Sequence, residues 1–399
     1  MHPSRGLEGI RVLDVTNVLS GPFACHQLAH FGAEVIKIEA PGRGDLARNL
    51  GADPALSARG MGVSFLAQNA GKKSVTLNLK HSEGKALFKR LVAGADVVVE
   101  NFRPGVMDRL GLGYETLKTI RPDLVYCAIS GFGQEGPWRD RPAYDQIVQG
   151  VAGVMSITGD ADSAPLRAGF PMADCIGGLT AAFAISAALN ARPRGVHLDV
   201  SMLESVLATM GWAVSNYLVA GIAPAANGNE NTTSAPSGTF EAQDAPLNIA
   251  ANKDEQWQVL ARHLGLADLI DHPDYATRED RKRNRLALKR ELEEVLVTRP
   301  AAAWVEELAA LGVPAGSVLT VPEVLATPQL ADRGFLKGYP DVPGVDCNVR
   351  IATTGVKLDQ QAPHVEGPPP TLGQHNGEIW GALGLTEDDL ARMTCEGII

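Results

Sequence analysis

Two segments near the amino end, Ile10–Thr16 (IRVLDVT) and Ala33–Glu39 (AEVIKIE), decide the fold. Each is an apolar run rich in β-branched residues. Glycine and proline punctuate both, Gly21-Pro22 after the first and Pro41-Gly42 after the second. Between them, Phe23–Phe31 reads as a helix ending at Gly32. Strand-like runs separated by helices of about ten residues indicate βαβ units, and these imply a parallel sheet. The pattern continues outward. A helix over Glu83–Ala93 precedes the strand Asp96–Glu100 (DVVVE), and Leu124–Ile129 (LVYCAI) adds another. Cys175–Ala191 reads as a helix apolar on nearly every side, followed by a strand over His197–Met202. A helix without a polar face is expected to be buried all round. The expected fold class is α/β, with Rossmann-like layering around a parallel sheet.

The composition then shifts. Ala220–Ser237 (AGIAPAANGNENTTSAPS) is polar and rich in glycine, proline and asparagine, which suits a linker or active-site loop. Beyond it, Glu255–Leu264 and Pro300–Leu311 read as helices, and the densely charged Asp271–Arg285 as a solvated stretch. The expected division is a large α/β domain beginning in 1–225 and a smaller α+β domain over 226–330. Residues 331–399 then form a linker, proline-rich at Glu366–Pro370, and a segment returning to the large domain with a final helix at Glu387–Met393.

The 399 residues carry 36 basic and 46 acidic side chains, a formal charge of −10, with 45% apolar and 21% charged residues. That apolar content excludes a disordered chain, and the acidic balance argues against a nucleic-acid partner. MHPSRGLEGI lacks the apolar run of a signal peptide, and Cys175–Asn190 falls short of the roughly 20 residues of a spanning helix. The five cysteines are widely spaced and form no CxxC, so neither a disulfide framework nor a zinc site is expected. These features point to a soluble, cytoplasmic protein with no membrane partner.

Gly131–Gly136 (GFGQEG) matches G-x-G-x-x-G, but Pro137 and Trp138 follow where a dinucleotide site needs a helix start. GxxxxGK[ST], HExxH and GxSxG are absent. Asp174 is the only acidic residue between Asp162 and Asp199, and it directly precedes the apolar helix. It reads either as an N-cap or as a carboxylate nucleophile held by a rigid helix start, and the two readings are compatible. Gly177 and Gly178 weaken the first turn, which suggests that a ligand or a neighbouring backbone comes close. Lys72, Lys73, Lys80, Arg103 and Arg109 flank the early strands and turns. They read singly as solvated surface, or together as a site for an anionic ligand at the carboxyl ends of parallel strands.

Several segments, in order, carry a resemblance. They are Leu7–Gly9 with Val12–Asp14, Gly21-Pro22, Gly32–Asp45 (GAEVIKIEAPGRGD), Asn69–Leu79 (NAGKKSVTLNL) and Ala95–Gly105 (ADVVVENFRPG) with Asp108–Gly111. Then follow Ser130–Pro137, Tyr144-Asp145, Ala173–Gly178 (ADCIGG), Ala187–Leu189 with Arg192, Gly195–Met202 (GVHLDVSM), Val313–Ala315 and Leu372–Asn376 (LGQHN). Across nearly its whole length the chain resembles the class III CoA-transferases, which include formyl-CoA and carnitine CoA-transferases and share a fold with the 2-methylacyl-CoA racemases.

The resemblance implies a two-domain subunit in an interlocked homodimer, with Asp174 matching the catalytic aspartate. Coenzyme A and acyl-CoA are then substrates, and no tightly bound cofactor or metal is implied. The positions matching CoA contacts are Leu19, Ser20, Leu77, Asn78, Leu79, Lys80, Asn101, Phe102, Arg103, Arg109, Ser130, Gly131 and Phe132. Two positions depart. The arginine that formyl-CoA transferase offers the adenine end is Ala40 here, with Arg43 the candidate replacement, and the glutamine near its reacting centre is Leu19. Gly228–Gly238 takes the place of the glycine-rich loop of oxalate-processing members. Racemases use a histidine in a Gly-His-Asp segment, which reads Ala143-Tyr144-Asp145 here, and a tyrosine with an ordinary pKa near 10 is a poor base at neutral pH. The expected activity is transfer of CoA between a short-chain acyl-CoA and a carboxylic acid, a dicarboxylic acid above all. The alternatives are a 2-methylacyl-CoA epimerase and a non-catalytic CoA-binding protein.

Overall fold

Six strands form one parallel sheet: β1 (Arg11–Asp14), β2 (Glu34–Glu39), β3 (Lys73–Thr76), β4 (Val97–Glu100), β5 (Val125–Ser130) and β6 (Val196–Ser201). The computed structural model describes residues 5–399 of the chain. Strand order is β3-β2-β1-β4-β5-β6, so the direction in which successive strands are added reverses between β1 and β4. Open α/β sheets place ligands at this switch point, outside the carboxyl ends of the strands. The strands expected from sequence are present. β3 was visible only within a matching segment, because four residues reading Lys-Ser-Val-Thr carry little apolar signal.

Alternate residues feed two cores, one on each face, as the period of a strand requires. Val12, Val35, Val97, Val99 and Cys127 face one core, shared with Ala24, Leu28, Ala181 and Ile185. Leu13, Ile36, Val75, Val98 and Tyr126 face the other, closed by Phe88 and by Trp380, Met393 and Ile398 near the carboxyl end.

The chain divides into two compact units. One comprises Met1–Val154, Ala168–Ala220 and Pro328–Ile399; the other comprises Met155–Arg167 and Gly221–Thr327. Residues 155–167 thus cluster with the smaller unit, whereas the sequence pattern had placed them in the larger. The smaller unit pairs β7 (Ser237–Glu241), β8 (Pro246–Ala250) and β9 (Ala315–Ser317) antiparallel. Its core gathers Leu247 and Ile249 with Trp257, Leu260, Leu288, Leu292 and Trp304. The stretch 271–285 is not simply solvated. Arg281 is buried, donates to the carbonyls of Ala235 and Tyr275, ion-pairs with Asp254 and lies against the Trp257 ring.

The apolar helix runs over Met172–Asn190, starting three residues before the expected Cys175. Gly177 and Gly178 are explained by neighbouring chain. A Cβ on Gly178 would lie 2.6 Å from the carbonyl oxygen of Ser20, and one on Gly177 2.8 Å from Met202 Cγ. The helix is not buried all round within one chain. Ala181, Ile185 and Leu189 are buried, but Leu179 is 51% and Phe183 76% exposed. By length and composition alone, its 19 residues would also suffice to cross a membrane.

Candidate active site

Asp14 ends β1 and Glu100 ends β4, and just beyond them the chain turns at Asn17 and Asn101. The two asparagines join across the switch point. Asn17 N–H donates to Asn101 Oδ1 and Asn101 Nδ2 donates to the Asn17 carbonyl, both at 2.8 Å. Above them opens a cavity of about 200 Å³. Its walls are Asn17, Val18, Leu19 and Ser20 after β1; Asn101 and Phe102 after β4; Ile129, Ser130 and Gly131 from β5; and Ala143, Tyr144, Asp174 and Met202. Asp174 is the one carboxylate among these residues.

The helix Met172–Asn190 presents Asp174 from its first turn, and Asp174 is not the N-cap. Pro171 stands at that position without a side-chain cap. The capping oxygen comes from the preceding helix, Asp145–Val151: Asp145 Oδ1 accepts the N–H of Ala173 at 2.8 Å and of Asp174 at 3.3 Å. Asp145 Oδ2 accepts Gln149 Nε2 at 2.7 Å, and Gln149 Oε1 accepts the N–H of Ala168. An external cap allows the helix to begin early, since orphan N–H groups at a helix start need acceptors. Burial, and after it the Asp145 carboxylate, pushes the Asp174 carboxyl up to about 7. The result is a more basic and therefore more nucleophilic carboxylate than a solvated one.

Of the residues matched to CoA contacts, Leu19, Ser20, Asn101, Phe102, Ser130 and Gly131 share this cavity with Asp174. Leu77, Asn78, Leu79, Lys80, Arg103, Arg109 and Phe132 lie outside its lining. Leu77 is buried, with its N–H on the Glu39 carbonyl, and Asn78 N–H reaches the Ile398 carbonyl. Lys80, Arg103 and Arg109 are exposed, and Phe132 packs edge-on against Trp138. The glycine loop runs from Gly131 to Tyr144 without a helix, so it lacks the helix start of a dinucleotide site.

Two basic residues of the expected anion site are otherwise engaged. Lys72 is fully buried, with Nζ 2.8 Å from both Asp14 Oδ2 and the Pro22 carbonyl. Lys73 begins β3 at the amino edge of the sheet, paired with Glu34 and Glu378. Lys73 does not face the carboxyl edge, and the Lys72 ammonium is sealed in the interior against Asp14 at the end of β1. In their place stands Arg139, unremarked in the sequence. A Cβ on Gly105 would lie 3.1 Å from Arg109 Nη1 and 3.3 Å from Arg139 Nη2, so the two guanidinium groups converge over that turn. Arg43 lines a neighbouring cavity of about 590 Å³ that shares Asn17 with the first.

This carboxylate-bearing cavity coincides with a match to the sequence profile of CoA-transferase family III over residues 7–376. The chain belongs to that family. Among family III relatives, an acetyl-CoA:oxalate CoA-transferase of Acetobacter aceti is 42% identical over 338 residues, 84% of this chain and 86% of the relative. A succinyl-CoA–D-citramalate CoA-transferase of Chloroflexus aurantiacus is 36% identical over 407 residues, covering 100% of this chain and 99% of its own. A CAIB/BAIF family protein of Brucella suis has a solved structure that superposes with a TM-score of 0.82 at 34% identity, covering 95% of this chain and 99% of that one. The α/β fold with its large parallel sheet is therefore that of family III.

Proposed function

We propose that this chain moves CoA between a short-chain acyl-CoA and a dicarboxylic acid, with Asp174 as the covalent nucleophile. The observation that carries the reading is the position of Asp174. It is the sole carboxylate lining a cavity at the switch point, on a rigid helix turn, with its basicity raised. The relatives that act on oxalate and citramalate support a small dicarboxylic acid as acceptor.

The chemistry follows from the reactivity of thioesters. The Asp174 carboxylate attacks the donor thioester carbonyl; the C–S bond breaks, leaving an aspartyl–acyl anhydride and CoA thiolate. The thiolate attacks the aspartyl carbonyl, freeing the donor acid and forming an aspartyl-CoA thioester. The acceptor carboxylate attacks that thioester, giving a second anhydride and thiolate again. Attack of the thiolate on the acceptor's acyl carbon then releases the new acyl-CoA and restores Asp174. The backbone N–H groups of Gly131 and of Ser20, at the start of the Ser20–His30 helix, border the cavity and are suited to the oxyanions. Exclusion of water protects each anhydride from hydrolysis.

The active form is a homodimer, soluble and cytoplasmic, without nucleic-acid or membrane partners. The exposed apolar side chains of Leu179 and Phe183, with Trp212 and Leu218 on the helix Gly211–Ala220, supply a face for a second copy.

The test is chemical capture. Wild-type protein incubated with acyl-CoA and then hydroxylamine or borohydride should carry a modification on the peptide containing Asp174. Asp174→Asn should stay folded and lose transferase activity by several orders of magnitude, since removing a covalent nucleophile closes the pathway. Labelling on Asp145 instead, or near-normal turnover of the Asn variant, would refute the assignment. α-Deuterium washout from a 2-methylacyl-CoA without acceptor would point to the epimerase.

A further inference from the structure

Val18 adopts φ +67°, in the left-handed region. Among the described residues it is the only β-branched one to do so; the other non-glycine cases are Asp359 and Gln360. A β-branched residue there is strained, and such strain persists only where surrounding contacts enforce it. Here the N–H of the strained residue is held by a carboxylate. Asp45 Oδ1 accepts the Val18 N–H and the Ala47 N–H, each at 2.9 Å.

Asp45 is in turn held by a buried chain of charges. Its Oδ2 lies 2.8 Å from Lys37 Nζ, which also donates to the Thr16 carbonyl at 3.0 Å and lies 3.9 Å from Asp14. Asp14 pairs with Lys72 at 2.8 Å, and the Asp14, Lys37, Asp45 and Lys72 side chains are all without solvent exposure. Two positive and two negative groups make the chain neutral. Burying four charges gains little stability over apolar packing, so their retention calls for a different reason.

We infer that Asp45, backed by Lys37, is a positioning residue for the transfer reaction: it locks Val18 so that the Leu19-Ser20 backbone forms the wall facing Asp174. The inference rests on the proposed function of that cavity. Val18, Leu19, Ser20 and Asp174 line it together, and Asn101 fixes the residue before Val18 from the other side. A displacement of about 1 Å in such a wall is enough to cost roughly a hundredfold in rate.

The experiment uses the full-length protein and glycine's freedom at positive φ. Lys37→Met with Asp45→Ala removes the lock while keeping the buried charge balanced by the Asp14–Lys72 pair. This double variant should lose turnover by about a hundredfold, with KM for acyl-CoA little changed. Adding Val18→Gly, which makes the left-handed conformation free of strain, should restore turnover by at least about tenfold. A purely structural role for Asp45 would lower the melting temperature without this rescue. A triple variant no faster than the double overturns the inference, as does a double variant with wild-type turnover. Should the double variant not fold, Lys37→Met with Asp45→Asn decides, because the Asn carbonyl oxygen can still receive the Val18 N–H and the buried charge stays balanced. Turnover nearer to wild type than the hundredfold loss supports the inference, and a loss of that size overturns it. Hydroxylamine capture at Asp174 in the wild type reports on the nucleophile separately, so failure of either reading is distinguishable.

Discussion

Asp145 Oδ1 accepts the backbone N–H of Asp174 at 3.3 Å while its charge faces the Asp174 carboxyl. One carboxylate thus orders the helix turn that bears the nucleophile and raises the nucleophile's basicity. Satisfying the N–H groups stabilises the turn, and placing a like charge beside a half-buried carboxyl disfavours ionisation.

The first consequence is an acid limb in the activity profile. With the Asp174 carboxyl at about 7, kcat/KM should rise with pH through that value. Asp145→Asn keeps an accepting oxygen and removes the charge, so the limb should move to lower pH without reaching the ordinary carboxylate value, because burial remains the larger cause. A limb that stays in place would show that the Asp145 charge is not felt.

A second consequence concerns stability. A carboxyl raised from 3.8 to about 7 on folding contributes stability below pH about 4 that is lost as pH rises through about 7. That interval corresponds to at most about 4 kcal/mol. Asp174→Asn does not titrate, so it should melt above the wild type at pH 8, and the gap should close toward pH 4. Equal melting temperatures across this range would contradict the raised value.

Substrate affinity should follow the converging arginines. Arg109→Ala and Arg139→Ala should each raise KM for acyl-CoA by roughly tenfold, more than they lower kcat, because a contact to the nucleotide end is made equally in ground and transition states. Lys73→Ala, which alters only the amino edge of the sheet, serves as the control and should leave KM within about twofold. A collapse of kcat at constant KM in the arginine variants would remove them from the CoA site.

Assembly can be probed at Phe183, whose ring is 76% exposed in the single chain. Phe183→Glu should weaken association, shifting sedimentation toward smaller or aggregating species, since an unpaired charge in an apolar contact is costly. Wild-type protein sedimenting as a folded 42.2 kDa monomer at every concentration would dismiss the dimer.

Much of the fold was legible because its signals are local. The runs at 10–16, 33–39, 96–100 and 124–129 are β-branched enough to be strands buried on both faces, and they are. Asp174 was likewise visible as an isolated acid within Ala-Asp-x-x-Gly-Gly. That it leaves the capping to another residue was not, because the helix start is set by Asp145, 29 residues earlier. Lys72 and Lys73 are neighbours in sequence with opposite fates, one in the interior against Asp14 and the other at the rim against Glu34. Composition cannot tell them apart.

The order of residue types by itself determined the α/β class, family membership and the identity of the candidate nucleophile. Each of these depends on patterns within a few residues, or on a run of matching segments. Only the tertiary structure decided which groups meet: Asn17 with Asn101 across 84 positions, Asp45 with a strained Val18, and Arg139 beside Arg109 over Gly105. Such pairings depend on where strand order and loop closure bring distant side chains together, and hydropathy and spacing carry no record of that distance.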